Sequence, residues 1–339
     1  MMDAAASRRD IGRSASPCPI AMARVIRAFF VVVSVILICA FAYEGVKNPE
    51  KIYLEPSTRG AVPGKFVRLS GGETHYEAAG PESGQVVVLV HGFSVPMYIW
   101  DSTFLALSAT GHRVIRYDLY GRGYSERPDA EYDGAMYDQQ LDELLDSLHV
   151  SQPINLVGLS FGGYVVSHYT VSHPRRVRTL TMVDPSSTSR KLPSLLTVPV
   201  IGQWVWQVTQ VPGMAAGQAS DFLHPEHFPT WAEQYKPQMQ YKGFGRALLR
   251  SAVTLSKADF PTLFADVSKT NVPVLLVWGK QDQTVPIALS DVARKNIPSL
   301  QFFPVDSAGH LPHIEQAALV NAKLMNFISM PPMLAAPTP

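Results

Sequence analysis

The chain has 339 residues, with 29 Lys and Arg against 28 Asp and Glu, and 46% of its residues are hydrophobic. That length suits one large domain with an inserted subdomain, and the even charge without a basic stripe excludes a nucleic-acid footprint, so no nucleic-acid partner is expected. The 2 cysteines, Cys18 and Cys39, both precede the motif-bearing region, so no disulfide is expected within it; with no C-x-x-C and no zinc-ligand cluster, neither a metal nor a cofactor is expected.

Residues 1–27 are rich in Ala, Ser and Arg and read as a disordered basic N-terminus. Residues 28–43, Ala28 to Tyr43, then run without a charge and read as a transmembrane helix. Such a helix spans about 24 Å, short of a roughly 30 Å hydrocarbon core, and Arg24 and Arg27 can snorkel to extend it. The basic flank is N-terminal, which keeps the N-terminus cytoplasmic and places the rest of the chain on the other side. The rival is a secretory signal peptide cleaved near Ala40-Phe41-Ala42, with translation starting at Met22. The uncleaved anchor is preferred. Residues 44–65 carry Pro49, Pro56 and Pro63 and read as a linker or a surface strap.

Phe66–Leu69 and Thr74–Ala79 read as an opening hairpin, and Val86–Val90 as a buried strand closed by His91-Gly92-Phe93. A helix is expected at Asp101–Ala109, a strand at His112–Tyr117 and a surface helix at Ala135–Leu148, where apolar residues recur at helical spacing. Asp118 to Gly123 forms a glycine-rich loop without a phosphate-binding pattern, so Asp118 and Arg122 are expected to tie it structurally. The next strand ends in Gly158-Leu159-Ser160-Phe161-Gly162, and a helix follows at once. Strand, sharp turn and helix with a serine at the tip is the context of a nucleophile elbow. The two glycines let the chain pack tightly around it.

A nucleophilic serine needs a base, an acid to orient the base, and donors for the oxyanion. Arg178–Val183 is a strand ending at Asp184. The strand Pro273–Gly279 leads to Asp282, and Leu300–Val305 leads to His310. Asp282 and His310 thus both fall at strand C-terminal ends, where α/β folds build sites. The backbone N–H groups of Phe93 and Phe161 are the candidate oxyanion donors. His224-Pro225-Glu226-His227 looks like a metal pair, but Pro225 breaks helical presentation and no third ligand stands nearby. Ile314–Ile328 reads as the last helix and residues 331–339 as a disordered tail.

The order Ser160, Asp282, His310, with His91-Gly92-Phe93, Asp118-Leu119-Tyr120-Gly121-Arg122-Gly123-Tyr124-Ser125 and Trp278-Gly279-Lys280-Gln281-Asp282, resembles the α/β-hydrolases of the capped serine esterase and monoacylglycerol-lipase type. The resemblance covers about residues 66–328. It implies an α/β fold: a mostly parallel twisted sheet with helices on both faces, with core residues 66–185 and 272–330 and an inserted helical cap at 186–271. It places the loop after Phe93 over the site, which makes Met97, Tyr98 and Trp100 candidates to line a substrate pocket. Some relatives carry the acid after the strand ending at Asp184, but Asp282 is preferred. Ser160 stands where dehalogenase and epoxide hydrolase branches carry aspartate. The implied function is a serine carboxylester hydrolase acting on apolar acyl esters or lipids, held at the membrane by the N-terminal helix. The alternatives are a C–C bond hydrolase of ring-cleavage products, or a low-turnover binding protein on the same scaffold.

Overall fold

The computed structural model describes residues 19–330. Residues 1–18 and 331–339, read above as a disordered N-terminus and tail, lie outside the described residues. The chain divides into an N-terminal unit ending at Lys47 and a second unit from Asn48 onward. The first holds one long helix, α1 (Pro19–Lys47), which by length and composition could cross a membrane. Residues 19–27, expected to be disordered, are therefore helical, as are residues 44–47. The apolar run extends back through Ile26 and Met22, and proline suits a helix's first position.

The second unit is built on an 8-stranded sheet of order β1-β2-β4-β3-β5-β6-β7-β8. The strands are β1 (Lys65–Leu69), β2 (Gly72–Ala79), β3 (Val86–Val90), β4 (Arg113–Tyr117), β5 (Ile154–Leu159), β6 (Val177–Val183), β7 (Val274–Gly279) and β8 (Gln301–Val305). The first hairpin is antiparallel, and β3 through β8 run parallel. β3, β5 and β7 are buried along their whole length, which is why they read as unbroken apolar runs rather than as alternation. Their side chains still divide by parity. Val88, Leu156 and Leu276 enter the core on one face; Val87, Val157 and Leu275 enter the core on the other. From β3 the chain moves outward to β4 on one side and then to β5 on the other, so β3/β5 is the switch point where such sheets open a crevice.

The helices α2 (Asp101–Ala109), α3 (Gly134–Ser147), α4 (Phe161–Ser172), α5 (Ile201–Thr209), α6 (Trp231–Met239), α7 (Phe244–Lys257), α8 (Phe260–Lys269), α9 (Ser290–Asn296) and α10 (Ala317–Ile328) complete the unit, with short helical turns between them. The segment expected as a cap at 186–271 divides in two. Up to Lys257 it is a run of short helices between β6 and β7. Beyond that, α8 turns Phe260, Phe264 and Val267 into the sheet's own core and packs against α4 and α9. It is thus a core helix, which the length of the segment between β6 and β7 does not distinguish from a cap. The final helix expected at Ile314–Ile328 is also interrupted, with a turn at Pro312–Glu315 before α10.

The segment expected as a linker is fixed in place. From Asn48 onward it lies against the inserted helices: Ile52 bridges Tyr241, and the Lys51 and Ile52 N–H groups donate to Gln240 O. The Glu50 carboxylate accepts the Gly243 and Gly245 N–H groups at 2.6 and 2.7 Å, an acidic cap on the positive end of α7 supplied from about two hundred residues away in sequence.

Candidate active site

β5 delivers Ser160 into a turn with φ 52° and ψ −114°, a conformation that a non-glycine residue adopts only under constraint. The constraint is visible. The Ser160 N–H donates to Val183 O at 2.9 Å, and its carbonyl accepts from Gly163 at 2.9 Å and Ser186 at 3.1 Å. A Cβ on Gly158 would stand 2.4 Å from Gly162 O, and one on Gly162 would stand 2.5 Å from both Val90 O and His91 O. Only glycine at both positions lets α4 start this close to β3 and β5. The serine hydroxyl makes no hydrogen bond to cap the helix, so it is left facing a cavity of about 460 Å³.

His310 lines that same cavity. Its Nδ1 lies 2.7 Å from Asp282 Oδ2, while Asp282 Oδ1 accepts the Thr284 and Val285 N–H groups, each at 2.8 Å. The Asp282 side chain is fully buried. With a proton on Nδ1 shared toward the carboxylate, Nε2 is left as the acceptor. Burial alone would pull the imidazole down. The hydrogen bond and charge of Asp282, joined by the charge of Asp221, hold it above the ordinary imidazole value.

Asp184, the alternative acid, is close but differently engaged. It is fully buried; its Oδ1 accepts the Gly279 N–H at 2.9 Å, and its Oδ2 has no partner among the described residues. Asp184, Asp282 and His310 bring ligand atoms within 4.8 Å of one another, a spacing a cation could also use. Here the His310 to Asp282 contact is a hydrogen bond that a cation would have to displace. Burial, then the charge of Asp282, pushes Asp184 well above the usual carboxylate range. Two carboxyls this close and this dry disfavour each other's charge, and burial beside Asp282 favours the neutral form of Asp184.

On the other side of Ser160, His91 fixes the loop after β3. Its Nε2 accepts the Leu119 N–H at 2.9 Å, so the proton sits on Nδ1, facing Gly92 O at 2.9 Å. Burial brings its pKa down to about 4, so the ring stays neutral in this tautomer. Phe93, two residues on, lines the Ser160 cavity, and no acceptor among the described residues takes its N–H. Phe161 is the first residue of α4, where an N–H has no partner within the helix. The two rings meet edge to face at 6.0 Å.

Arg122 lies behind both. It is fully buried, and no carboxylate among the described residues pairs with it. Its Nε donates to Phe93 O at 2.8 Å, its Nη1 to Tyr120 O and Tyr137 Oη, and its Nη2 to Ser251 Oγ on α7. The guanidinium also stacks near the Phe93 and Phe161 rings, at 5.6 and 5.3 Å. Sequence reasoning took it as a loop tie. The structure makes it the brace of the Phe93 peptide. Arg122→Met should lower kcat by about 10²-fold, the usual cost of a small misplacement in a reacting geometry, with KM little changed. Steady-state kinetics beside a thermal melt would check this, and an unchanged kcat in the folded variant would refute it.

The three pocket residues expected from the loop after β3 are elsewhere. Met97 and Tyr98 line a different cavity, with His75, Asp118 and Gln238. Trp100 is buried against the His313 ring, 4.3 Å away. The cause is a tight 3₁₀ turn over Met97–Trp100, anchored by the Met97 N–H on Asp118 Oδ1 at 2.9 Å, which rolls these side chains away from Ser160 and leaves Ser94, Val95 and Ile99 at the cavity wall. The aromatic residues of the inserted segment likewise pack on one another: Phe222 stacks on Phe228 at 4.1 Å and meets Trp231 at 5.2 Å.

Among the residues that segment brings to the cavity is Asp221, which sequence reasoning missed. Its carbonyl accepts the His310 N–H at 2.8 Å, and its Oδ1 accepts the Thr284 hydroxyl at 2.7 Å. A Cβ on Gly309 would stand 2.8 Å from Leu223 N and 2.9 Å from Asp221 O, so this approach requires glycine. Glu315 completes the seam by accepting the Leu223 and Gly309 N–H groups at 2.8 and 2.7 Å. No local pattern around Asp221 signals any of this.

The model of the alpha/beta hydrolase family matches residues 87–323. Among curated proteins the chain is 26% identical over 263 residues to a Bacillus subtilis (strain 168) protein provisionally named 2-succinyl-6-hydroxy-2,4-cyclohexadiene-1-carboxylate synthase, covering 74% of this chain and 92% of that one. It is 25% identical over 258 residues to Lipase 1 of Psychrobacter immobilis, covering 73% and 77%. Among solved structures, the enol-lactonase from Burkholderia xenovorans LB400 superposes with a TM-score of 0.68 at 20% identity, over 78% of this chain and 100% of that one.

Proposed function

The chain belongs to the alpha/beta hydrolase family, and on that premise we propose that it is a serine carboxylester hydrolase acting on apolar acyl esters, monoacylglycerols among them. The observation that carries the reading is Ser160 on its strained turn, sharing one cavity with His310, whose Nδ1 is held by Asp282 at 2.7 Å. Ser160 Oγ attacks the ester carbonyl carbon while His310 Nε2 takes its proton. The oxyanion forms against the Phe93 and Phe161 N–H groups. His310 returns the proton to the departing alkoxide and the alcohol leaves. Water, deprotonated by His310, then attacks the acyl-enzyme, which frees the acid and restores Ser160. A second cavity of about 280 Å³ also reaches Ser160, and the side of it formed by Leu192, Ala252, Leu255, Val285 and Leu289 suits an acyl chain.

The α1 helix supports a membrane tether with the catalytic unit on the non-cytoplasmic side. Secretion after cleavage near Ala42 is the alternative, and N-terminal sequencing of the mature protein separates the two.

The test is hydrolysis of p-nitrophenyl esters from acetate to palmitate by the full chain in detergent, across pH. Medium or long chains should be preferred. The acidic limb of kcat/KM should lie above roughly 6.5, the free imidazole value, because the neutral form is the active base and His310 is raised. Activity is thus present above that limb and lost below it. A folded protein inert toward every ester would turn the reading to C–C bond cleavage or to ligand binding without turnover.

A further inference from the structure

Ser160 borders two cavities. The smaller sets the aliphatic side chains just described opposite Ser186, Ser187, Thr188 and Arg190. The larger is faced by Asp221, Gln218, Gln210 and Thr209 from the inserted segment and by Ser94 from the loop after β3. Asp221 is held firmly, by its carbonyl on the His310 N–H and by its Oδ1 on the Thr284 hydroxyl. Among the described residues it forms no ion pair, and the charge of His310 acts on it. Burial pushes its carboxyl up, while the charge of His310 and the Thr284 hydroxyl pull it back down, and a hydroxyl placed in the cavity would add a further donor to it.

Resting on the esterase reading, we propose that the larger cavity receives a hydroxyl-rich leaving alcohol of the glycerol or sugar type, with Asp221 accepting one of its free hydroxyls, while the acyl chain occupies the smaller cavity. Amides and hydroxyls both donate and accept, as a polyol does, and Gln218, Gln210, Thr209 and Ser94 supply that lining. An ammonium-bearing alcohol would call for aromatic faces, and Phe93 alone supplies one there. No added reactant is needed. The ester C–O bond breaks, the leaving oxygen takes the proton from His310 Nε2, and the hydroxyl on Asp221 is a spectator that fixes the alcohol.

The test compares three esters of one medium-chain acid, the 1-glyceryl, ethyl and choline esters, with the full wild-type chain and with Asp221→Asn and Gln210→Leu. Asparagine can still accept the Thr284 hydroxyl, and Gln210 is exposed, so the second variant answers even if the first misfolds. Wild type should favour the glyceryl over the ethyl ester in kcat/KM. Asp221→Asn should cut that ratio about ten-fold or more, the worth of a hydrogen bond to a charged group, and Gln210→Leu should shift it in the same direction. The acidic limb should also move to lower pH in Asp221→Asn, since Asp221 helps raise His310. A ratio untouched by both variants, or a wild-type preference for the ethyl or choline ester, overturns the assignment while leaving the esterase reading intact. Cleavage of none of the three by wild type overturns both.

Discussion

Ser160→Ala should lower kcat on a p-nitrophenyl ester by on the order of 10⁶-fold and leave the melting temperature unchanged or higher. The two halves of this expectation have separate causes. The hydroxyl makes no hydrogen bond at the start of α4, so its removal leaves no partner behind. The bonds that hold the turn are all main chain: the Ser160 N–H on Val183 O, and the Gly163 and Ser186 N–H groups on Ser160 O. Alanine keeps every one of them. The strain at φ 52° stays as well, because alanine carries the same Cβ. Ser160→Gly would relieve it and should stabilise the fold by about 1 kcal/mol. Chemistry and stability would then part at a single position, which steady-state kinetics and a thermal melt on the same samples would show. Substantial turnover by the alanine variant would mean that another group is the nucleophile, and the proposed acyl-enzyme would be wrong.

Legibility in the sequence followed how local each feature is. The turn at Ser160 is written in adjacent residues, because Gly158 and Gly162 meet their steric limits against the elbow itself and the neighbouring β3. Asp282 and His310 could be picked out because each follows a parallel strand within a few residues, and parallel sheets collect such positions at one edge. Met97, Tyr98 and Trp100 could not be placed, since their direction is set by the Met97 N–H bond to Asp118 and by the ring of His313, both remote in sequence. The helix at Phe260–Lys269 has an apolar face that fits a cap or a core equally well, and only packing on α4 decided between them. Asp221 was invisible for the same reason: a seam of backbone bonds to His310 and Gly309 positions it, and those bonds leave no periodicity to read.

The two acids beside His310 make the sharpest test of how the site holds its protons. Asp282→Asn should lower kcat about 10⁴-fold, as loss of the orienting carboxylate does in serine hydrolases, whereas Asp184→Asn should stay close to wild type. At position 282 an amide can accept the Thr284 and Val285 N–H groups through its oxygen. That leaves its NH₂ facing His310 Nδ1, which must then give up its proton and take the other tautomer. Nε2 would carry the proton and could no longer receive one from Ser160. At position 184 the outcome differs because burial and the charge of Asp282 already favour the neutral form of the native carboxyl. Asparagine oxygen can accept the Gly279 N–H as Asp184 Oδ1 does, and the NH₂ takes the place of the unpartnered Oδ2. The pH profile separates a neutral Asp184 from a charged one. A negative charge this near His310 would help to raise its pKa, so removing it would move the acidic limb of kcat/KM to lower pH. A neutral acid leaves the limb where it was. If Asp184→Asn shifts the limb downward, or loses activity as Asp282→Asn should, then the negative charge beside His310 resides on Asp184 and the roles of the two acids are exchanged.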